Sequence, residues 1–184
     1  DEGAFRFDDP VAKYIPQFAG LRVLKPGATE VTDTEPLVRQ PTIRELISHQ
    51  SGFTYGLFPE TPVDKCYTEQ RIMDMNSSLE EMIDKLAALP LIFQPGARWN
   101  YSIGIDILGR LIEIWSGKSF RDFLHERLFA PLGMVDTDFH VPEAKHARLT
   151  TNYQPLDLRD NMKPGLKPCP DLLIGSVLAP KRFH

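Results

Sequence analysis

Tyr101 stands shortly after the Pro95-Gly96 turn, at the mouth of a nearly all-apolar stretch, with Trp99 and Ser102 beside it. A tyrosine works as a general base when a nearby cation and hydrogen bonds to the phenolate pull its pKa well below ~10. The same residue also reads as a packing aromatic whose hydroxyl reaches a polar rim, and the residues alone favour that plainer role. Asp136-x-Asp138-x-His140 puts three donors on one face of an extended segment. Such a set suits a divalent cation, although the commoner reading of so short a pattern is the polar face of an edge strand. His49 lies two residues from Ser51, but adjacency in sequence is not the geometry of a Ser/His pair, and a histidine at a helix C-terminus is favoured there as a cation.

Other chemistries are missing from the sequence. It contains no G-x-S-x-G, no H-E-x-x-H, no phosphate-binding glycine loop and no G-x-G-x-x-G. With 21 basic and 25 acidic side chains the net charge is −4, which gives no footprint for nucleic acid or an anionic membrane surface. No apolar run approaches the ~18 residues of a membrane span. Cys66 and Cys169 lack a CxxC partner, which speaks against a disulfide scaffold or zinc knuckle and fits a reducing compartment such as the cytoplasm.

The elements that must hold Tyr101 are mostly helical. Asp8-Asp9-Pro10 reads as the opening of a short helix, and Leu21–Leu24 with 29–34 as a small two-stranded element. Thr42-x-x-Glu45 is a capping box for a short helix stopped at Gly52, and Ser78-x-x-Glu81 is a second, followed by Leu79, Met82, Ile83 and Leu86 at helical spacing. Residues 53–77 lack sustained periodicity and read as a long loop with a turn of helix near 71–75, of the kind that often forms a lid. From Tyr101 to Trp115 the chain reads as a helix buried on most sides, in which Gly104 and Gly109 are tolerable if neighbouring backbones come close. Ser119 caps a further helix with Phe120, Phe123, Leu124 and Leu128 facing inward, completing a hairpin. Beyond Leu132 the periodicity fades, and 135–141 hints at a strand. No repeat or linker divides the chain.

Several of these segments, taken in order, resemble the serine β-lactamase-like superfamily, which includes class C β-lactamases, penicillin-binding proteins and family VIII carboxylesterases. They are Asp8-Asp9-Pro10-Val11-Ala12-Lys13-Tyr14-Ile15-Pro16, Pro41-Thr42-Ile43-Arg44-Glu45-Leu46-Ile47-Ser48-His49-Gln50-Ser51-Gly52-Phe53, and Gln94-Pro95-Gly96-Ala97-Arg98-Trp99-Asn100-Tyr101-Ser102. Leu108-Gly109-Arg110, Ser116-Gly117-Lys118-Ser119-Phe120 and Pro131-Leu132-Gly133-Met134 follow. In that superfamily the Ser of an S-x-x-K motif attacks the acyl group, its Lys tunes the Ser, a Tyr heading a Y-x-N-like motif is the base, and a K-T-G-like strand closes the site. Tyr101 matches the Tyr. No S-x-x-K occurs in this sequence, and the tail beyond Pro155 does not resemble the strand motif.

The resemblance therefore implies a mainly α chain with a small β element, the helical central lobe of an α/β β-lactamase-like (DD-peptidase) fold. Residues 1–184 would form one partial domain whose partners are the missing segments of its own fold, and which is inactive and only marginally soluble alone. It implies an ester or lactam as small-molecule substrate and no cofactor. Trp99 and the Phe53–Phe58 loop would line an acyl pocket. Ser102 would cap the helix or donate to Tyr101, capping being its commoner job. Ile103 stands where β-lactamases typically carry Asn and offers no hydrogen bond. The complete enzyme is thus expected to be an esterase with weak or absent β-lactamase activity, with a β-lactamase, a penicillin-binding protein or a non-catalytic module of the same fold as the alternatives.

Overall fold

In the computed structural model, which describes residues 3–57, 60–156 and 165–168, short helices and one small sheet enclose a core built mainly from the first two-thirds of the chain. Val11–Lys13 and Pro16–Gly20 are 3-10 turns that bury Val11 and Phe18. The Asp9 carboxylate, expected to open a helix here, instead accepts from the Arg6 N–H, the Tyr14 hydroxyl and Lys13. Strand β1 (Arg22–Leu24) pairs antiparallel with β2 (Thr34–Pro36) in the register Val23 to Glu35. The second strand thus begins where the expected 29–34 alternation ends.

Helix α1 (Ile43–Ile47) has the expected capping box, with the Thr42 hydroxyl accepting from the Glu45 N–H and the Glu45 carboxylate accepting from the Thr42 N–H. Its end differs from expectation. His49, three residues before Gly52, ends the helix in the left-handed conformation at φ 57°. The His49 N–H returns to the Leu46 carbonyl and the Gln50 N–H to that of Glu45, the bond pair of a Schellman motif, in which glycine is the usual occupant. Gly52 is itself at φ 90°, and a Cβ there would stand 2.5 Å from the Phe93 carbonyl oxygen.

Helix α2 (Pro62–Glu69) lies inside the stretch read as a loop, and 71–75 is a set of turns. A Thr61/Asp64 capping box with Pro62 at the first position starts it. Helix α3 (Leu79–Ala87) follows its Ser78/Glu81 box as expected and buries Leu79, Met82, Ile83 and Leu86. Helix α4 (Gly104–Ser116) starts three residues later than the periodicity suggested and packs on α1 and α3 through Ile107 and Leu111. It is buried on one side only, with Ile105 and Ile114 exposed. Of its glycines, Gly104 meets backbone, the Leu46 carbonyl, whereas Gly109 meets only side chains.

Helix α5 (Phe120–Leu124), capped by Ser119 as expected, runs into a π-helical turn at His125–Phe129. None of its residues is fully buried, and Leu128 is exposed; only Phe120 of the expected inward row packs against the core. The segment read as a strand at 135–141 forms turns and bends. A 3-10 turn (Glu143–Arg148) and an antiparallel pair, β3 (Tyr153–Pro155) with β4 (Leu166–Pro168), complete the described chain. No helix among the described residues is long and apolar enough to cross a membrane. Cys169 and Phe58 lie outside the described residues.

Candidate active site

The Tyr101 turn is laced along the 49–54 segment. The Gly96 N–H donates to the Gln50 carbonyl, Asn100 N–H to that of His49, and Ile103 N–H to that of Thr54. The Pro95-Gly96 turn sits on the Arg39–Glu45 ion pair, with Arg39 Nη2 donating to the Pro95 carbonyl at 3.1 Å. Gly96 lies at φ 83°, and a Cβ there would run into both members of that pair. Burial raises the Glu45 carboxyl, but hydrogen bonds from Arg39 and the Thr42 N–H outweigh it, so its pKa lies below the ordinary value. A charged carboxylate thus joins the start of α1 to the turn that delivers Tyr101.

Two other rings pack against the Tyr101 ring. Tyr55 stacks on one face, centroids 5.1 Å apart and nearly parallel, while His49 lies 4.9 Å away and tilted. The Tyr55 hydroxyl in turn reaches Asp106 on the first turn of α4, 3.3 Å away. Tyr101 itself is 53% exposed. It forms one wall of a cleft of about 220 Å³, with Tyr55, Leu57 and Glu60 from the loop, and Arg98 and Trp99 from its own segment. The cleft thus sets a half-exposed phenol beside aromatic side chains, with Arg98 among its lining residues.

Ser102 is fully buried and does neither of its expected jobs. Helix α4 has no side-chain cap. The Ser102 hydroxyl instead lies 3.1 Å from His49 Nδ1, to which the Ser102 backbone N–H also donates at 3.2 Å. Phe53 and Ile103, expected at a substrate pocket, are core residues at 2% and 0% exposure, because inward packing of 53–54 against 103 carries their side chains away from the cleft. Of the predicted set, the structure brings Trp99 and Tyr101 to one cleft. The Phe53–Phe58 loop named from sequence supplies Tyr55 and Leu57 to the cleft, whereas Asp106 and the His49–Ser102 link were missed; His49 at the end of a capped helix was the available signal.

The other sites carry less chemistry. His49 is not bonded to Ser51. Asp136 is paired with Lys145 and Arg148, and Asp138 with Arg121, so the two carboxylates of the less favoured cation reading are held in ion pairs. Among the described residues no cluster of three metal-ligating side chains occurs. A larger cleft of about 820 Å³ lies between Phe5, Trp115 and Phe123. Asp8, a carboxylate in its lining, is paired with Arg44.

The Beta-lactamase family model matches residues 1–176. Protein Rv1367c of Mycobacterium tuberculosis is 32% identical over 163 residues, 89% of this chain and 40% of that protein. Esterase EstB of Burkholderia gladioli is 30% identical over 168 residues, covering 88% and 40%. Among solved structures, EstCE1, a hydrolase with promiscuous acyltransferase activity, superimposes with a TM-score of 0.64 at 27% identity over 83% of this chain and 37% of that one. The chain spans about two-fifths of the length of these curated relatives.

Proposed function

As this chain belongs to the Beta-lactamase family, we propose that it is the helical lobe of a serine hydrolase of carboxylesterase type in which Tyr101 is the general base. The observation that carries the reading is the half-exposed Tyr101 phenol, packed against His49 and Tyr55 at the wall of an aromatic cleft. The nucleophilic Ser and its Lys would come from an S-x-x-K segment that this sequence does not contain. Tyr101 takes the proton from that Ser as its oxygen attacks the ester carbonyl, then returns it to the departing alkoxide. In the second half it takes a proton from the water that attacks the acyl carbonyl and passes it to the departing Ser oxygen, which frees the acid and restores the enzyme.

Ester rather than lactam chemistry is supported by the relatives, which include an esterase and a hydrolase with promiscuous acyltransferase activity; Ile103, buried in the core and outside the cleft, does not bear on the choice. The test uses the full-length protein with a short p-nitrophenyl ester and nitrocefin. The ester is expected to be the better substrate, and Tyr101→Phe is expected to lower kcat by about 10²–10⁴. Comparable efficiency on nitrocefin refutes the ester preference, and no reaction with a fluorophosphonate probe refutes the serine hydrolase.

A further inference from the structure

Among the described residues two that are not glycine stand in the left-handed region, Arg71 and His49, and His49, which ends α1, is the one that meets the Tyr101 turn. At φ 57° His49 fills the position of the Schellman motif that glycine occupies most cheaply. Its imidazole is directed at the Tyr101 turn. A backbone N–H can only donate, so the bond from Ser102 N–H to Nδ1 at 3.2 Å makes Nδ1 the unprotonated nitrogen and leaves the proton on Nε2. The Ser102 hydroxyl then also donates to Nδ1, at 3.1 Å. On the same residue, the carbonyl accepts from Asn100 N–H at 2.9 Å. The ring also packs at a tilt against Tyr101 and edge-on to Trp99. One residue therefore holds the backbone before Tyr101, the backbone after it and its ring.

We propose that His49 is the positioning residue for Tyr101, acting through a neutral imidazole whose Nδ1 accepts from Ser102; the proposal rests on Tyr101 being the base. His49 has no role in bond making. It fixes the direction from which the phenol meets the nucleophile, so its loss lowers kcat and leaves KM nearly untouched.

The experiment is a set of variants of the full-length protein assayed on the p-nitrophenyl ester. His49→Gly removes the acceptor and also removes the backbone strain, so a loss of activity is not a loss of the turn; kcat is expected to fall about tenfold to a hundredfold with KM within about twofold. His49→Asn, whose Oδ1 falls near the place of Nδ1 and which tolerates the left-handed region, is expected to restore kcat to within about threefold. In a Tyr101→Phe background, His49→Gly is expected to cost less than about twofold, because a residue that acts through Tyr101 has nothing left to position. Should His49→Gly fail to fold, His49→Gln, whose amide reaches past the Nδ1 position, takes its place against His49→Asn.

Wild-type kcat in His49→Gly, an equal loss in His49→Asn, or the same loss with and without Tyr101 each overturns the positioning role. If Tyr101→Phe is crippled and His49→Gly is intact, only the positioning role falls. If Tyr101→Phe keeps wild-type kcat, the base assignment fails and carries the His49 proposal with it.

Discussion

Replacing Gly104 by alanine adds one methyl group at the point where α4 crosses the end of α1. Its Cβ would lie 2.7 Å from the Leu46 carbonyl oxygen and 3.4 Å from the Ser102 Oγ. Carbon and oxygen ordinarily approach no closer than about 3.4 Å, so the two backbones must part by about 0.7 Å. Overpacking of this kind costs about 1–3 kcal/mol, against a helix-propensity gain of at most ~1 kcal/mol. The expected net destabilisation is about 1–2 kcal/mol. The same displacement falls on the His49–Ser102 contacts at 3.1 and 3.2 Å, which would stretch beyond hydrogen-bonding range. A misplacement of this size costs up to about a hundredfold in kcat.

Gly109, five residues along the same helix, is the control. A Cβ there meets Leu79 Cδ1 at 3.3 Å and Phe120 Cδ1 at 3.4 Å, both side-chain atoms that can yield. Gly109→Ala is therefore expected to be neutral or to stabilise by up to ~1 kcal/mol. Urea denaturation of both variants at unchanged m-value, with ester turnover of the full-length protein, tests the pair. If Gly104→Ala is as stable as Gly109→Ala and turns over substrate at the wild-type rate, the close-approach reasoning is wrong.

Asp64 is nearly fully buried and accepts from the Thr54 hydroxyl and from the Thr61 N–H and hydroxyl; Asp64→Ala orphans these donors and removes the α2 capping box, for an expected loss of about 2–4 kcal/mol in chemical denaturation. Asp9, through the Tyr14 hydroxyl, the Arg6 N–H and Lys13, and Asp136, through Arg148 and Lys145, have pKa values lowered from 3.8 to about 2. A carboxyl lowered in the folded state contributes stability that is present above its unfolded pKa and lost as pH falls through the folded one. The melting temperature should therefore drop between pH 3.8 and about 2, and Asp136→Asn should flatten that drop. Burial and the neighbouring Glu69 raise the Cys66 thiol above its ordinary value, so Cys66 should alkylate with iodoacetamide more slowly than free cysteine at pH 8, read by peptide mass spectrometry.

Local rules were legible where side chain and backbone answer each other within one turn. The Thr42/Glu45 and Ser78/Glu81 boxes and the Ser119 cap all form at the expected residues. The Thr61/Asp64 box obeys the same rule but went unread, because an Asp in place of Glu and the prolines around it made 53–77 look like loop. Face assignments failed where partners are distant in sequence. The apolar residues of 101–115 do not say which side meets α1 and α3, and Ile105 and Ile114 are exposed. At the site, Tyr101 stood out by resemblance. What surrounds it depends on contacts made 46 to 53 residues away, from Tyr55 and His49, and no spacing rule reaches that far. The Asp136 pattern lies in turns and bends rather than in the edge strand favoured for it, and its charges are answered from Arg121, Lys145 and Arg148.

The two oxygens of Asp64 fasten both ends of the loop that walls the cleft, Oδ1 at Thr54 and Oδ2 at Thr61. Mechanically this is a buckle, and Gly56 is part of it: at φ 70° a Cβ there would stand 2.7 Å from the Tyr67 Cβ and 3.2 Å from the Asp64 carbonyl oxygen. Beyond Gly56 the strap can change length or composition without pulling on either anchor, since doubling a flexible loop costs only about 0.6 kcal/mol in closure entropy. Leu57 and Glu60 ride on that strap, whereas Tyr55 is tied to Tyr101 by its stack and to α4 through Asp106. A library that varies 57–60 while sparing Thr54, Tyr55, Gly56, Thr61 and Asp64 would change the wall of the cleft and leave the Tyr101 turn in place.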